Sequence, residues 1–172
     1  MTKKLLCFLA IVLALFILFL GIHYVTSIDL NNENEVLLQL CKKEESETIK
    51  LFKISIAERY GAVLYECNAQ TKLIVYEKDI VFKRFLVFGG ASYSSGIQTF
   101  NTTFAGKDLL MIVFGHNPLH TAHSYEFFIN EEKFSRDNLD EYILDIYDLK
   151  GRNNTYSDGK AYDQKHEYLF PF

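Results

Sequence analysis

The sequence predicts an α+β protein: an N-terminal transmembrane helix, then one helix with an antiparallel β-meander, then a small β-sandwich-like unit. Three observations carry that reading. Residues 5–22 are an unbroken uncharged run behind Lys3 and Lys4. Residues 31–46 repeat apolar side chains at helical spacing. From residue 49 onward, short stretches alternate apolar and polar residues between turn signals. The chain divides accordingly: 1–27 as a signal-anchor with a short link, 28–88 as helix plus four-stranded meander, 89–96 as a linker, and 97–172 as the reduced sandwich-like unit.

The first element is the anchor. Leu5 to Ile22 is 18 residues, about 27 Å of helix at roughly 1.5 Å per residue, close to the hydrocarbon thickness of a bilayer. A cleaved signal peptide carries a shorter apolar core of about 7–15 residues, so the length favours an uncleaved anchor. The alternative is secretion after cleavage near Ser27, where Val25-Thr26-Ser27 offers small residues. Lys3 and Lys4 hold the N-terminus in the cytoplasm by the positive-inside rule, which places the rest of the chain outside. The expected lipid contact runs over residues 5–22.

Asn31 to Ser46 forms the second helix. Asn32, with Glu35 three residues on, has the pattern of a capping pair. Val36, Leu37, Leu40 and Cys41 make the apolar stripe, and Lys42, Lys43, Glu44 and Glu45 lie mainly outside it. Strands follow. "IKLFKISIA" (49–57) alternates, "AVLYEC" (62–67) and "KLIVYEK" (72–78) flank the turn "NAQT", and "VFKRFLVF" (81–88) completes the meander. "GGASYSSG" (89–96), with three glycines and three serines, reads as the boundary. Beyond it, "IQTFNTTF" and "LLMIVFG" flank "AGKD", "SYEFFIN" and "KFS" flank "EE", and "EYILDIYDL" is a long strand. "KAYD" or "HEYLF" closes the sheet.

Composition excludes several functions. Without Lys3 and Lys4 the outer part holds 16 basic against 22 acidic residues, a net charge of −6. That balance argues against nucleic acid and against anionic membrane surfaces as partners of the outer part. Cys41 and Cys67 lie outside the membrane, where a disulfide is permitted, but both also fit as buried free thiols. No CxxC spacing, G-x-S-x-G elbow, P-loop or dinucleotide-binding glycine pattern occurs. No cofactor is expected.

"GHNPLHTAHS" (115–124) holds three of the five histidines. His116, His120 and His123 are the candidate metal ligands, because zinc takes three or four protein donors from one locality. Pro118 works against them. Asn117, before a proline, is pushed out of the helical region, so a helix starts only at Pro118 with Asn117 as its cap; His120 and His123 then share a face and His116 lies outside. An extended segment puts His120 and His123 on opposite faces. A polar interstrand loop is the competing reading. The carboxylates Asp137, Asp140, Glu141, Asp145 and Asp148 lack the glycine and the oxygen spacing of a calcium loop, and read as the charged edge of a strand. Ser92, Ser94 and Ser95 read as linker residues. Tyr125, Phe127, Tyr142 and Tyr147 fit strands by propensity alone, with an exposed aromatic platform as the alternative.

The anchor and helix, "IKLFKI…YGAVLYE", and the later "IVFGHN…YEFFIN…YILDIY" together resemble small, uncharacterised membrane-anchored or secreted proteins of Gram-positive bacteria. The resemblance covers most of the outer chain and implies an extracytoplasmic location and no known activity. The expectation is therefore a non-enzymatic extracytoplasmic module, anchored in the membrane, that binds another cell-envelope protein or polymer. The alternative is a metal- or small-ligand-binding sensor using the 116–123 loop. A hydrolase using the same loop with a nearby Ser or Asp is a third.

Overall fold

A run of apolar side chains leaves the backbone no polar partner but itself, and residues 3–26 form a helix accordingly. This helix, α1 (Lys3–Thr26), belongs to a computed structural model that describes residues 3–93 and 96–172. Leu5 to Thr26 is 22 residues long, and its most apolar stretch has a mean hydropathy of 3.2 and is unburied. It is long and apolar enough to cross a membrane. The helix overruns the expected 5–22 segment by about one turn. The Thr26 hydroxyl donates to the carbonyls of Ile22 and His23, and the Ser27 hydroxyl to that of Tyr24, which closes the helix end. One residue later the chain is already paired: Ile28 N–H donates to Phe85 O at 2.9 Å and Phe85 N–H to Ile28 O at 2.8 Å.

The second helix, α2 (Glu33–Glu44), starts at the predicted cap. The Asn32 side chain accepts from Glu35 N–H at 3.4 Å. Glu45 turns left-handed at φ 50° and ends it, two residues short of the expected Ser46. Its apolar stripe, Val36 and Leu40, is fully buried together with Ile28 and Leu30 against Val63, Tyr65, Ile74 and Tyr76. Those four belong to the first sheet, an antiparallel meander in the order β1 (Ile49–Ile56), β2 (Tyr60–Cys67), β3 (Gln70–Lys78), β4 (Phe85–Tyr93). The β2–β3 turn is tighter than "NAQT". Only Asn68 (φ 53°) and Ala69 (φ 60°) lie outside the ladder, the left-handed pair that matches strand twist.

The fourth strand is displaced from its expected position. It spans Phe85–Tyr93 instead of 81–88, because residues 79–84 form a tight turn held by Asp79. Residues 89–93, expected to open the linker, are strand paired with 71–75. Gly90 is there because a Cβ would stand 2.6 Å from the Leu73 carbonyl oxygen. Ser92 pairs with Lys72 within that ladder, and Ser94 and Ser95 lie outside the described residues.

Two further antiparallel sheets follow. The second has the order β5 (Gly96–Phe104), β6 (Lys107–His116), β9 (Tyr142–Arg152). The third has the order β11 (Tyr168–Pro171), β10 (Lys160–Tyr162), β7 (Ser124–Ile129), β8 (Glu132–Asp137). The "EE" turn is in fact Asn130–Glu131, again two residues at positive φ. The apolar run in β6 has a clear cause: the strand is covered on both faces. Leu110, Ile112 and Phe114 pack with Tyr60, Ala62, Leu64, Leu73 and Val75 of the first sheet. Met111 and Val113 pack with Tyr125, Phe127 and Ile129 of the third. The same two-sided burial applies to β2, where Val63 and Tyr65 meet α2 while Ala62 and Leu64 meet β6.

Candidate functional site

The histidine loop is built around Asn117. Pro118–His120 makes a single 3₁₀ turn with Asn117 before it, as the proline dictates. The Asn117 side chain does not cap that turn. It is buried and holds Ala122 at both ends, donating to the Ala122 carbonyl at 2.8 Å and accepting from its N–H at 3.1 Å. The Asn117 N–H donates to Glu141 O at 2.7 Å. His123 is tied by its backbone, donating to Tyr162 O and accepting from Leu139 N–H. These bonds shape the loop so that the exposed tip, Leu119 and His120, takes positive φ angles of 69° and 50°.

The three histidines are spread by this geometry. His116 ends β6, His120 sits on the exposed tip, and His123 precedes β7. Among the described residues no three His, Cys, Asp or Glu side chains come together as a metal-binding group. His116 instead completes a column of rings. Tyr142 is stacked on one side by Phe52 at 4.1 Å and 14°, and on the other by His116 at 4.8 Å and 7°. His116 Nε2 lies 3.3 Å from Glu141 Oε1. Beside the column, Lys53 Nζ donates to Asp140 Oδ2 at 2.7 Å and to Tyr142 O at 3.1 Å. The Lys53 ammonium holds the Asp140 carboxyl below the usual carboxylate range, with Arg136 and His120 adding smaller attractions. Burial, with the Glu141 charge behind it, pushes the Tyr142 phenol up.

This column is the candidate site: three half-buried rings, one of them the His116 imidazole, flanked by the Glu141 carboxylate and the Lys53–Asp140 ion pair, where β1 of the first sheet meets β9 of the second. Stacking covers both faces of Tyr142 and Lys50 lies over the Phe52 ring, so the column presents ring edges and a charged rim. Sequence reasoning singled out His116 and Tyr142 separately and missed Phe52 and Lys53. Their partners lie some 90 positions along the chain, and β alternation reports a face without naming what lies across it.

The remaining candidates are structural. Tyr125 and Phe127 are buried core residues, so they form no exposed platform. The Tyr125 hydroxyl donates to Asp145 Oδ2 at 2.7 Å and lies 2.6 Å from the Tyr147 hydroxyl, and Arg136 pairs with Asp145. Asp148 accepts from Lys150 N–H within β9, where the β6–β9 register shifts. Cys7, Cys41 and Cys67 are free thiols.

The other constellation lies at the root of α1. Arg84 donates to Ser27 Oγ at 3.1 Å and Ser27 O at 2.9 Å, pairs with Glu35, and sets its guanidinium 4.8 Å over the Tyr24 ring. One side chain thus joins α1, α2 and β4. No family model, curated protein or solved structure matches this chain.

Proposed function

We propose that the chain is a single-pass, extracytoplasmic binding module without catalytic activity. Lys3 and Lys4 stay in the cytoplasm, α1 crosses the membrane, and the β-rich body outside binds another cell-envelope protein or polymer. The observation that carries this reading is the joint between helix and body. A helix whose apolar run is unburied leads within two residues into a β-bridge and the Arg84 clamp. Ser27 is buried in that joint, which supports retention of the anchor over cleavage. We read residues 97–172 as a reduced sandwich, with Ile97, Val113, Tyr125 and Phe127 packed between its two sheets. The ring column at Phe52, Tyr142 and His116 is the surface we assign to partner contact.

Two measurements on the full chain in cells test the reading. Fused after Phe172, alkaline phosphatase is expected to be active and green fluorescent protein dark. The opposite pair of results reverses the orientation. A photo-crosslinking side chain at Glu141, beside the column, is expected to trap an envelope protein or glycan. If neither it nor positions across the exposed sheet edges give an adduct, the binding role is lost.

A further inference from the structure

The turn between β3 and β4 carries apolar residues that no core uses. Ile80 is 94% exposed and Val81 71% exposed. Disorder does not explain them, because the turn is tightly bonded. Asp79 Oδ1 accepts from Val81 N–H at 2.8 Å and Phe82 N–H at 2.7 Å, and Asp79 N–H donates to Arg84 O at 2.6 Å. A rigid turn that presents two β-branched apolar side chains to the outside calls for an apolar neighbour.

Its height relative to α1 is fixed on both sides of the tip. Before Ile80, Asp79 Oδ2 lies 3.2 Å from His23 Nδ1. After Val81, the Phe82 ring lies 6.1 Å from His23 and 5.6 Å from Tyr24. The two residues between are therefore held at the level of the last turn of α1. Counting from Leu5 at about 1.5 Å per residue, roughly 30 Å of hydrocarbon ends near residue 24. Tyr24 then sits where interfacial aromatic residues sit. The exposed Lys83 beside the tip fits lipid phosphate.

We propose that the 79–84 turn is a second membrane contact, in which Ile80 and Val81 enter the acyl–headgroup boundary of the outer leaflet beside α1. This rests on the anchor reading above, and it adds a fixed orientation of the body on the bilayer. The occupant is lipid, because the turn is continuous with α1, which is long and apolar enough to cross a membrane.

The chain contains no tryptophan, so a single one reports without background. The full chain is reconstituted in vesicles of equal parts phosphatidylcholine and phosphatidylglycerol, with phosphatidylcholine brominated either near the headgroup or near the chain end. Three variants are compared: Ile80→Trp, Phe16→Trp inside α1, and Phe104→Trp on the β5–β6 hairpin, where Phe104 is 73% exposed. The expected result is blue-shifted emission from Ile80→Trp quenched by the shallow bromines, strong quenching of Phe16→Trp by the deep ones, and no quenching of Phe104→Trp. Red, unquenched emission from Ile80→Trp beside a quenched Phe16→Trp overturns the second contact and leaves the anchor standing. An unquenched Phe16→Trp overturns the anchor and the turn contact with it. Equal quenching of Ile80→Trp and Phe104→Trp overturns the turn as a distinct contact.

Discussion

Asn117 is buried with both ends of its amide engaged by Ala122. Asn117→Ala strands a buried N–H and carbonyl, a loss of about 1–3 kcal/mol, which urea unfolding of the full chain in detergent will read. Leu119 shows the opposite tension. It is 90% exposed and sits at φ 69°, a conformation that costs an L side chain roughly 1–2 kcal/mol and glycine nothing steric. Leu119→Gly is expected to leave stability unchanged or raise it by up to about 1 kcal/mol, after the entropy glycine loses on folding. A drop of that size would show Leu119 making contacts that its exposure conceals. At this scale the sequence was legible in part where chemistry is local. Asn32 caps α2 at Glu35, three positions on, whereas Asn117, expected to cap the turn at Pro118, bonds Ala122 instead. The stacking of Phe52 on Tyr142 joins positions far apart, and no spacing rule reaches that distance.

Among the elements, α2 is held to its sheet by polar side chains as well as by its stripe. The Tyr65 hydroxyl donates to Glu44 Oε1 at 2.7 Å, Lys72 pairs with the same carboxylate, and the Tyr76 hydroxyl donates to Gln39 Oε1 at 2.9 Å. Lys72 first, then Tyr65, hold the Glu44 carboxyl below its usual 4.5. A carboxyl with a depressed folded-state pKa stabilises fully above that usual value and loses the contribution as pH falls below it. Thermal stability of the full chain is therefore expected to decline below about pH 4.5, with a smaller decline in Glu44→Gln. Equal profiles would remove Glu44 from the account. Gly115 on β6 faces the Gly96 carbonyl oxygen, which a Cβ would approach to 2.1 Å. Gly115→Ala is expected to cost about 1–3 kcal/mol by forcing β5 away from β6, readable as faster amide exchange along Gly96–Phe104. The strand placed at 81–88 moved to 85–93 for a reason the composition hides. Val81 and Phe82 have the apolar character of a strand start, whereas Gly89 and Gly90 look like an end. The turn is apolar for what it touches, and Gly90 is small because the Leu73 backbone is close.

The whole molecule is unified by shared interior surface. Leu110, Ile112, Phe114 and Leu144 pack with Tyr60, Ala62, Leu64 and Leu73 in one cluster, so neither sheet covers its own apolar face. Ile112→Ala is expected to cost about 2–5 kcal/mol and to shift unfolding of the first and second sheets together. Separate transitions in amide exchange would show two independent bodies. Alternation made the strands legible, but "LLMIVFG" read only as one arm of a hairpin, and its burial on both faces comes from the packing of the sheets. Which sheet covers which face was beyond the sequence, because period two reports two sides and names no neighbour. The joint at Ser27 and Ile28 has one more consequence. With no slack between α1 and the sheet it enters, the helix is a lever. A spanning helix tilts when the bilayer thins and straightens when it thickens. In the proposed membrane placement the body follows that tilt only until the 79–84 turn meets the surface, so lipid thickness sets how firmly the turn presses on the membrane.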